Sequence, residues 1–216
     1  MAVTRVRVSE ASEAVQPGVD ALRGGHVVAY PTDTLYGLAV DPANAAAVTR
    51  LFTLKGRALD KAIPLIAGSV DQVRAWTRLT PLGERLAEAF WPGPLTLVLA
   101  AARAIDARVL GDGGTVAIRV PDEPVARALA TLAGCPITST SANPSGQAPT
   151  AHPDEVERTL PALDVLLDGG STRGGAPSTI VDATGPGPVL IRAGAIAWER
   201  VLESLGPAST PTVFPR

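Results

Sequence analysis

Residues 24–57 read GGHVVAYPTDTLYGLAVDPANAAAVTRLFTLKGR and decide the fold, because they run strand, polar loop, helix, and then deliver cations. The run His26 to Tyr30 is apolar and β-branched enough for a short buried strand, and Pro31, with no N–H to donate, stops the ladder. Thr32, Asp33, Thr34, Tyr36 and Gly37 then put hydroxyls, a carboxylate and a flexible backbone at the end of that strand, where α/β proteins usually bind ligands. Asp41-Pro42 reads as an N-cap followed by a proline at the first helical position. In the helix that follows, Val48, Leu51, Phe52 and Lys55 fall on one face at spacings of three and four. Lys55-Gly56-Arg57 ends it with two cations, placed either to satisfy the negative end of the helix dipole or to reach a polyphosphate.

Composition favours the second role. The 216-residue chain writes its cations as 17 Arg and 2 Lys, and both lysines, Lys55 and Lys61, lie within seven residues of each other. A compact, rotatable ammonium does something that arginine's planar fork does not replace, so this clustering points to phosphate. With 46% hydrophobic residues the chain can build one sizeable core, and a single domain is expected. A formal charge of −2 and a pI near 5.7 argue against holding nucleic acid by bulk electrostatics. Cys135 stands alone, which excludes disulfides and cysteine metal clusters and suggests a buried structural thiol. No apolar run is long enough to span a bilayer and no leader pattern opens the chain, so a cytoplasmic protein is expected.

Outward from the deciding stretch, Val3 to Val8 reads as an edge strand with Arg5 and Arg7 facing out, and Pro17 to Arg23 as a short helix ended by Gly24-Gly25. Ile63 to Ala67 predicts a strand, Val70 to Trp76 a helix, and Pro81 to Phe90 a helix capped by Thr80. Leu95 to Ala100 is a strand, and Ile105 to Gly114 a glycine-marked connection expected to be mobile. Thr115 to Val120 alternates, with Val116, Ile118 and Val120 on one face and Thr115, Ala117 and Arg119 on the other. Asp122 to Leu132 predicts a helix capped by Asp122. Ile137-Thr138-Ser139-Thr140-Ser141-Ala142-Asn143 carries five neutral polar side chains in seven, more hydroxyls than a core strand needs. Read as extended, it places Ser139 and Ser141 on one face. His152 to Leu160 predicts a helix, Val165 to Asp168 a strand, Gly169 to Gly175 a loop, and Ser178 to Asp182 with Val189 to Arg192 a hairpin. Trp198 to Leu205 closes the domain, assigned to residues 1–206, and residues 207–216 are expected to be a frayed, proline-rich tail. This order suggests an α/β (α+β) domain on one twisted, mixed sheet.

Neither His26 nor His152 is placed as a general base, which speaks against a Ser-His-Asp hydrolase, and neither GxxxxGK[ST] nor GxGxxG occurs. What remains is a hydroxyl-rich, Lys/Arg-lined pocket at several strand ends, suited to a polar, zwitterionic or phosphorylated ligand.

The segments PTDTLYGL, KGR followed by Lys61, TVAIRVPD, STSANPSG, STIVD and LIRAGAI, in that order, resemble the YrdC-like family of L-threonylcarbamoyladenylate synthases. The resemblance implies a twisted α/β fold around a concave, positively lined cavity, in the short, single-domain form of the family. It also implies a nucleotidyltransferase that converts L-threonine, bicarbonate and ATP to threonylcarbamoyl-AMP and pyrophosphate. That product serves N6-threonylcarbamoyladenosine formation next to the tRNA anticodon. Matched position by position, Thr32, Arg119, Ser139 and Ser178 contact threonine. Lys55, Thr115, Ser141, Asn143 and Arg192 contact ATP, and Lys55, Arg57 and Lys61 are the catalytic cations. Leu59 and Pro149 depart from polar family positions and put those ATP contacts in question. Mg²⁺ is expected to arrive with ATP, with no metal held by the protein itself. The implied partners are downstream threonylcarbamoyl-transfer proteins acting on tRNA, with weak RNA binding and no membrane. An RNA-binding module without catalysis and a carbamoyl-transfer domain like that of hydrogenase-maturation proteins are the alternatives.

Overall fold

A computed structural model describes residues 3–8, 12–56 and 62–206. In chain order its strands are β1 (Thr4–Arg7), β2 (Val28–Tyr30), β3 (Gly37–Ala39), β4 (Leu65–Ile66), β5 (Thr77–Arg78), β6 (Leu95–Ala101), β7 (Thr115–Arg119), β8 (Ile137–Thr138), β9 (Thr140–Ser141), β10 (Val165–Asp168), β11 (Thr179–Asp182) and β12 (Val189–Arg192). The helices are α1 (Gln16–Arg23), α2 (Ala45–Lys55), α3 (Val70–Trp76), α4 (Pro81–Phe90), α5 (Pro124–Ala133), α6 (Pro153–Thr159) and α7 (Trp198–Ser204). The α/β class holds, but the expected single sheet is divided into two mixed sheets. One runs β1-β10-β2-β3-β9; the other runs β12-β11-β6-β7-β4-β8, with β5 on β6.

Strand β2 explains how both layers are filled. Ala29 packs into the larger core with Leu38, Leu51, Leu97 and Ile118, whereas Val28 and Tyr30 face a second cluster made with α1 and α5 through Val19, Leu22, Ala126 and Leu129. A strand buried on both faces needs a continuous apolar run, which HVVAY supplies. In α2 the residues Val48, Leu51, Phe52 and Lys55 are all buried, as the three-and-four spacing predicts.

Helix ends are decided by capping and proline. Asp41 is not the cap of α2: its Oδ1 accepts from Ala43 N at 2.8 Å in a local turn, and Pro42 O is taken by the Asp106 N–H at 2.9 Å. Asn44 caps instead, accepting from Ala46 and Ala47 N. Asp122 likewise yields to Glu123 at α5, because Pro124 drives the residue before it out of the helical region, leaving Glu123 extended and accepting from Val125 N. The connection expected to be mobile is tied to α2: Arg108 pairs with Asp106 at 2.7 Å, donates to Thr49 Oγ1 and Ala45 O, and lies over the Phe52 ring.

The segment 137–141 is not one strand. β8 pairs with β4, β9 pairs with β3, and Ser139 is the crossing point between the sheets, its N–H donating to Pro64 O at 2.7 Å. The buried Thr138 hydroxyl donates to Leu38 O and accepts from Val40 N, which fastens β8 to the chain of β3. The hydroxyls of this segment thus include one that joins two layers. The tail expected at 207–216 lies outside the described residues.

Candidate functional site

The loop after β2 is built around Thr32. Its Oγ1 donates to Leu35 O at 2.6 Å and accepts from Thr34 N and Leu35 N, a Ser/Thr turn that fixes the direction of Asp33. The loop is held from above by Tyr36, whose hydroxyl donates to Gly170 O and accepts from Gly169 N, and by Thr172 Oγ1 donating to Thr34 O. Burial pushes the Tyr36 phenol up to about 12, and the Gly169 N–H opposes that rise. Asp33 Oδ2 accepts from Arg119 Nη1 at 2.6 Å. Arg119 comes from the last position of β7, on the face opposite the core residues Val116 and Ile118.

Ser139 and Ser141 meet the cavity from the crossing segment, with Thr140 between them and the 31–37 loop opposite. Tyr30, wholly buried, donates its hydroxyl to Thr138 O at 3.2 Å. Its phenol is pushed above its ordinary range by burial, against a hydrogen bond from the Ser139 side chain and the charge of Arg119. Behind this wall is Lys55, only 5% exposed, with Nζ donating to Ser141 O at 2.6 Å and Asn143 O at 2.8 Å. The α2 terminus therefore grips the 141–143 backbone, and Ser145 N returns a bond to Lys55 O.

The third wall is the β11–β12 hairpin. Arg192 donates to Ser178 O at 2.7 Å and to Ser178 Oγ at 3.2 Å, and Ser178 Oγ lies 2.8 Å from Thr96 Oγ1. Arg192 is exposed at the rim, and its pKa is lowered by partial desolvation and then by the like charge of Arg119. Gly194 makes this junction possible: a Cβ there would come within 2.5 Å of Ser178 C, which real Cβ atoms essentially never do.

Of the residues singled out in the sequence, Thr32, Arg119, Ser139, Ser141, Ser178 and Arg192 line one cavity. Lys55 and Asn143 stand behind it rather than on it. Asn143 Nδ2 donates to Pro144 O and Gln147 O, while its Oδ1 is buried without a partner among the described residues. Thr115, at the far end of β7, bonds Asp112 O and does not reach the cavity wall. Pro149 is exposed and also off the wall. Arg57, Leu59 and Lys61 lie outside the described residues. Sequence reasoning passed over Thr96, a wall residue only 2% exposed. A single Thr in LTLVL looks like ordinary strand chemistry, and only its partner Ser178 reveals it.

Residues 20–194 match the Sua5/YciO/YrdC family, described as "Telomere recombination". A protein named threonylcarbamoyl-AMP synthase from Vibrio vulnificus is 42% identical over 173 residues, which cover 78% of this chain and 93% of that protein. Another of the same name, from Pyrococcus abyssi, is 37% identical over 187 residues, covering 86% of this chain but 55% of the relative, so the chain spans about half its length. The crystal structure of P. abyssi Sua5 complexed with L-threonine matches with a TM-score of 0.87 and 33% identity, covering 100% of this chain and 63% of that one. The matched segment begins inside α1, ends just past β12 and takes in every wall residue named above, and on that basis the chain belongs to the Sua5/YciO/YrdC family.

Proposed function

We propose that this protein is a threonylcarbamoyl-AMP synthase. The observation that supports it best is the pairing of two guanidinium groups, Arg119 and Arg192, with the hydroxyls of Thr32, Ser139, Ser141 and Ser178 around one cavity. Such a wall suits two anionic reactants and offers no histidine nucleophile or base. None is needed. Bicarbonate takes up a proton and loses water to give CO₂, and the neutral threonine amine adds to its carbon and releases a proton, giving a carbamate. A carbamate oxygen then attacks the α-phosphorus of ATP, and the bond to pyrophosphate breaks. Arg119, Ser139 and Ser178 hold the amino acid, Ser141 and Arg192 face the nucleotide, and Lys55 shapes the 141–143 backbone on which the nucleotide side rests. Catalysis in this reading is alignment and charge neutralisation. The family resemblance assigns further cationic roles to Arg57 and Lys61, which lie outside the described residues, and Mg²⁺ comes with the triphosphate. Among the described residues no group of three His, Cys, Asp or Glu side chains is arranged to hold a metal.

The product is an activated acyl group, so its consumer is a transfer reaction to a nucleophile. We assign that nucleophile to N6 of the adenosine next to the tRNA anticodon, reached through downstream transfer proteins. None of the helices among the described residues is long and apolar enough to cross a membrane, in keeping with action in the cytoplasm. Incubation with ATP, bicarbonate and a panel of amino acids, assayed for pyrophosphate, tests the proposal. Release should require L-threonine and bicarbonate together; equal release when either is omitted overturns it.

A further inference from the structure

We propose that Asp33 is a positioning residue for amino-acid binding: it holds the Arg119 guanidinium in the orientation that receives the substrate carboxylate. This rests on the synthase reading above and assigns a role to a loop residue outside the contacts expected for threonine and ATP.

Four observations meet at this pair. Arg119 Nη1 and Asp33 Oδ2 are 2.6 Å apart, with side chains 11% and 21% exposed, so the bond is short, charge-assisted and poorly hydrated. The other oxygen, Oδ1, is buried with no hydrogen-bond partner among the described residues, so the carboxylate depends on Arg119 for its compensation. The backbone on both sides is fixed: Thr32 locks the turn that aims Asp33, and Ala67 N donates to Arg119 O at the end of β7. What remains free in Arg119 is the long side chain, and Asp33 is the acid that restrains it. Finally, Arg192 lines the same cavity, so a second guanidinium stands near the one that Asp33 holds. Without an anion beside it, Arg119 would swing out of the cavity, and the amino acid would have to reassemble the pair on binding. With Asp33 in place, one edge of the fork is occupied and the remaining N–H donors stay directed at the cavity that Arg119 lines.

The role acts through Arg119, and that makes it separable from general stability. Steady-state pyrophosphate release is measured for the wild type, Asp33→Asn, Asp33→Glu, Arg119→Ala and the double variant Asp33→Asn/Arg119→Ala, with melting temperatures for each. Asp33→Asn should raise KM for L-threonine about tenfold or more, as expected for loss of a charge-assisted partner, while KM for ATP stays within about twofold. On the Arg119→Ala background the same substitution should change KM for L-threonine by less than about twofold, because its target is gone. Asp33→Glu keeps the charge but displaces it by one methylene, so its KM for L-threonine should be raised severalfold, between the wild type and Asp33→Asn. Should Asp33→Asn fail to fold, Asp33→Glu alone decides. A wild-type KM for L-threonine in the Asp33 variants, equal shifts for threonine and ATP, or full additivity with Arg119→Ala overturns the role. A wild-type protein that releases no pyrophosphate with threonine and bicarbonate overturns the synthase reading, and this role with it.

Discussion

Lys55, read from the sequence as a phosphate-binding cation, has a structural role in the fold as well. Its clustering with Lys61 in an arginine-rich chain marks it, its place on the apolar face of α2 explains its burial, and Nζ donates to the carbonyls of Ser141 and Asn143. Lys55→Met keeps the volume and strands those two acceptors, at about 1–3 kcal/mol for an unsatisfied buried group. That corresponds to a melting temperature lower by roughly 2–12 °C in a domain of this size. Calorimetry should show the loss, and Lys55→Arg should not restore the wild-type value, because a planar fork does not fit where a compact ammonium bonds two carbonyls. If Lys55→Met melts like the wild type, the grip on 141–143 contributes nothing to stability. The two serines make a second residue-scale test. Ser139 sits at the sheet crossing beside Tyr30, and Ser141 is on β9 above Lys55, so they meet the cavity from different supports. Ser139→Ala should raise KM for threonine more than KM for ATP, and Ser141→Ala should do the reverse, each by roughly 2- to 12-fold for a hydrogen bond of about 0.5–1.5 kcal/mol. Equal shifts in both constants would mean that the segment does not divide the substrates.

At the scale of elements, local chemistry was legible and long-range pairing was not. Helices α3 and α4 and strand β10 fall where the sequence puts them, because caps, prolines and apolar periodicity are written locally. The split of 137–141 between two sheets depends on Pro64 O and on Leu38 and Val40 of a distant segment, and nothing in ITSTS announces those partners. The strand β3 was missed for a related reason: GLA carries no strand signal of its own and is extended because Tyr30 and Ser141 pair with Gly37 from either side. Among the wall residues, Thr32, Arg119, Ser139, Ser141, Ser178 and Arg192 stand out in the sequence because each carries chemistry a core does not require. Thr96 was missed because threonine in a strand is unremarkable. An element-level prediction follows from Gly194. Gly194→Ala would push against Pro177 and Ser178, move the β11 entrance, and raise KM for threonine severalfold or more, since a shift of about 1 Å at a site is enough for large losses. A Gly194→Ala enzyme with unchanged constants would show that the close approach is not needed. Another concerns the edge strand β1. Asp168 meets Arg5 at 2.9 Å and the Gly170 N–H; burial works to raise its pKa, but those bonds prevail and hold it below the ordinary carboxylate value. A carboxylate lowered by folding brings stability that is present above its unfolded pKa, about 3.9, and is lost as the pH falls through the folded value. Urea midpoints between about pH 5 and pH 2 should therefore fall less steeply for Asp168→Asn than for the wild type. Parallel curves would remove Asp168 from the acid response.

The molecule as a whole places its cavity on the seam between the two sheets. Gly37 and Ser141 belong to the sheet of β3 and β9, whereas Leu65, Thr96, Arg119, Ile180 and Arg192 belong to the sheet of β4, β6, β7, β11 and β12. A ligand held there touches both layers and favours the native state of both, provided that it does not bind the unfolded chain. At a concentration of about 100 Kd, L-threonine should add about 2.7 kcal/mol. For a chain of this length that raises the melting temperature by roughly 5–11 °C. The shape of the transition carries the stronger claim. The shared core, in which Leu38 of one sheet packs with Leu97 and Ile118 of the other, predicts one calorimetric transition that moves intact. Hydrogen exchange should report the same coupling locally, with protection rising on addition of threonine both at the Leu38–Thr140 pairing of β3 with β9 and at the Leu97–Ile118 pairing of β6 with β7. If the transition splits, or if protection rises in one sheet and leaves the other unchanged, the cavity belongs to a single layer and the seam is only where the two happen to meet.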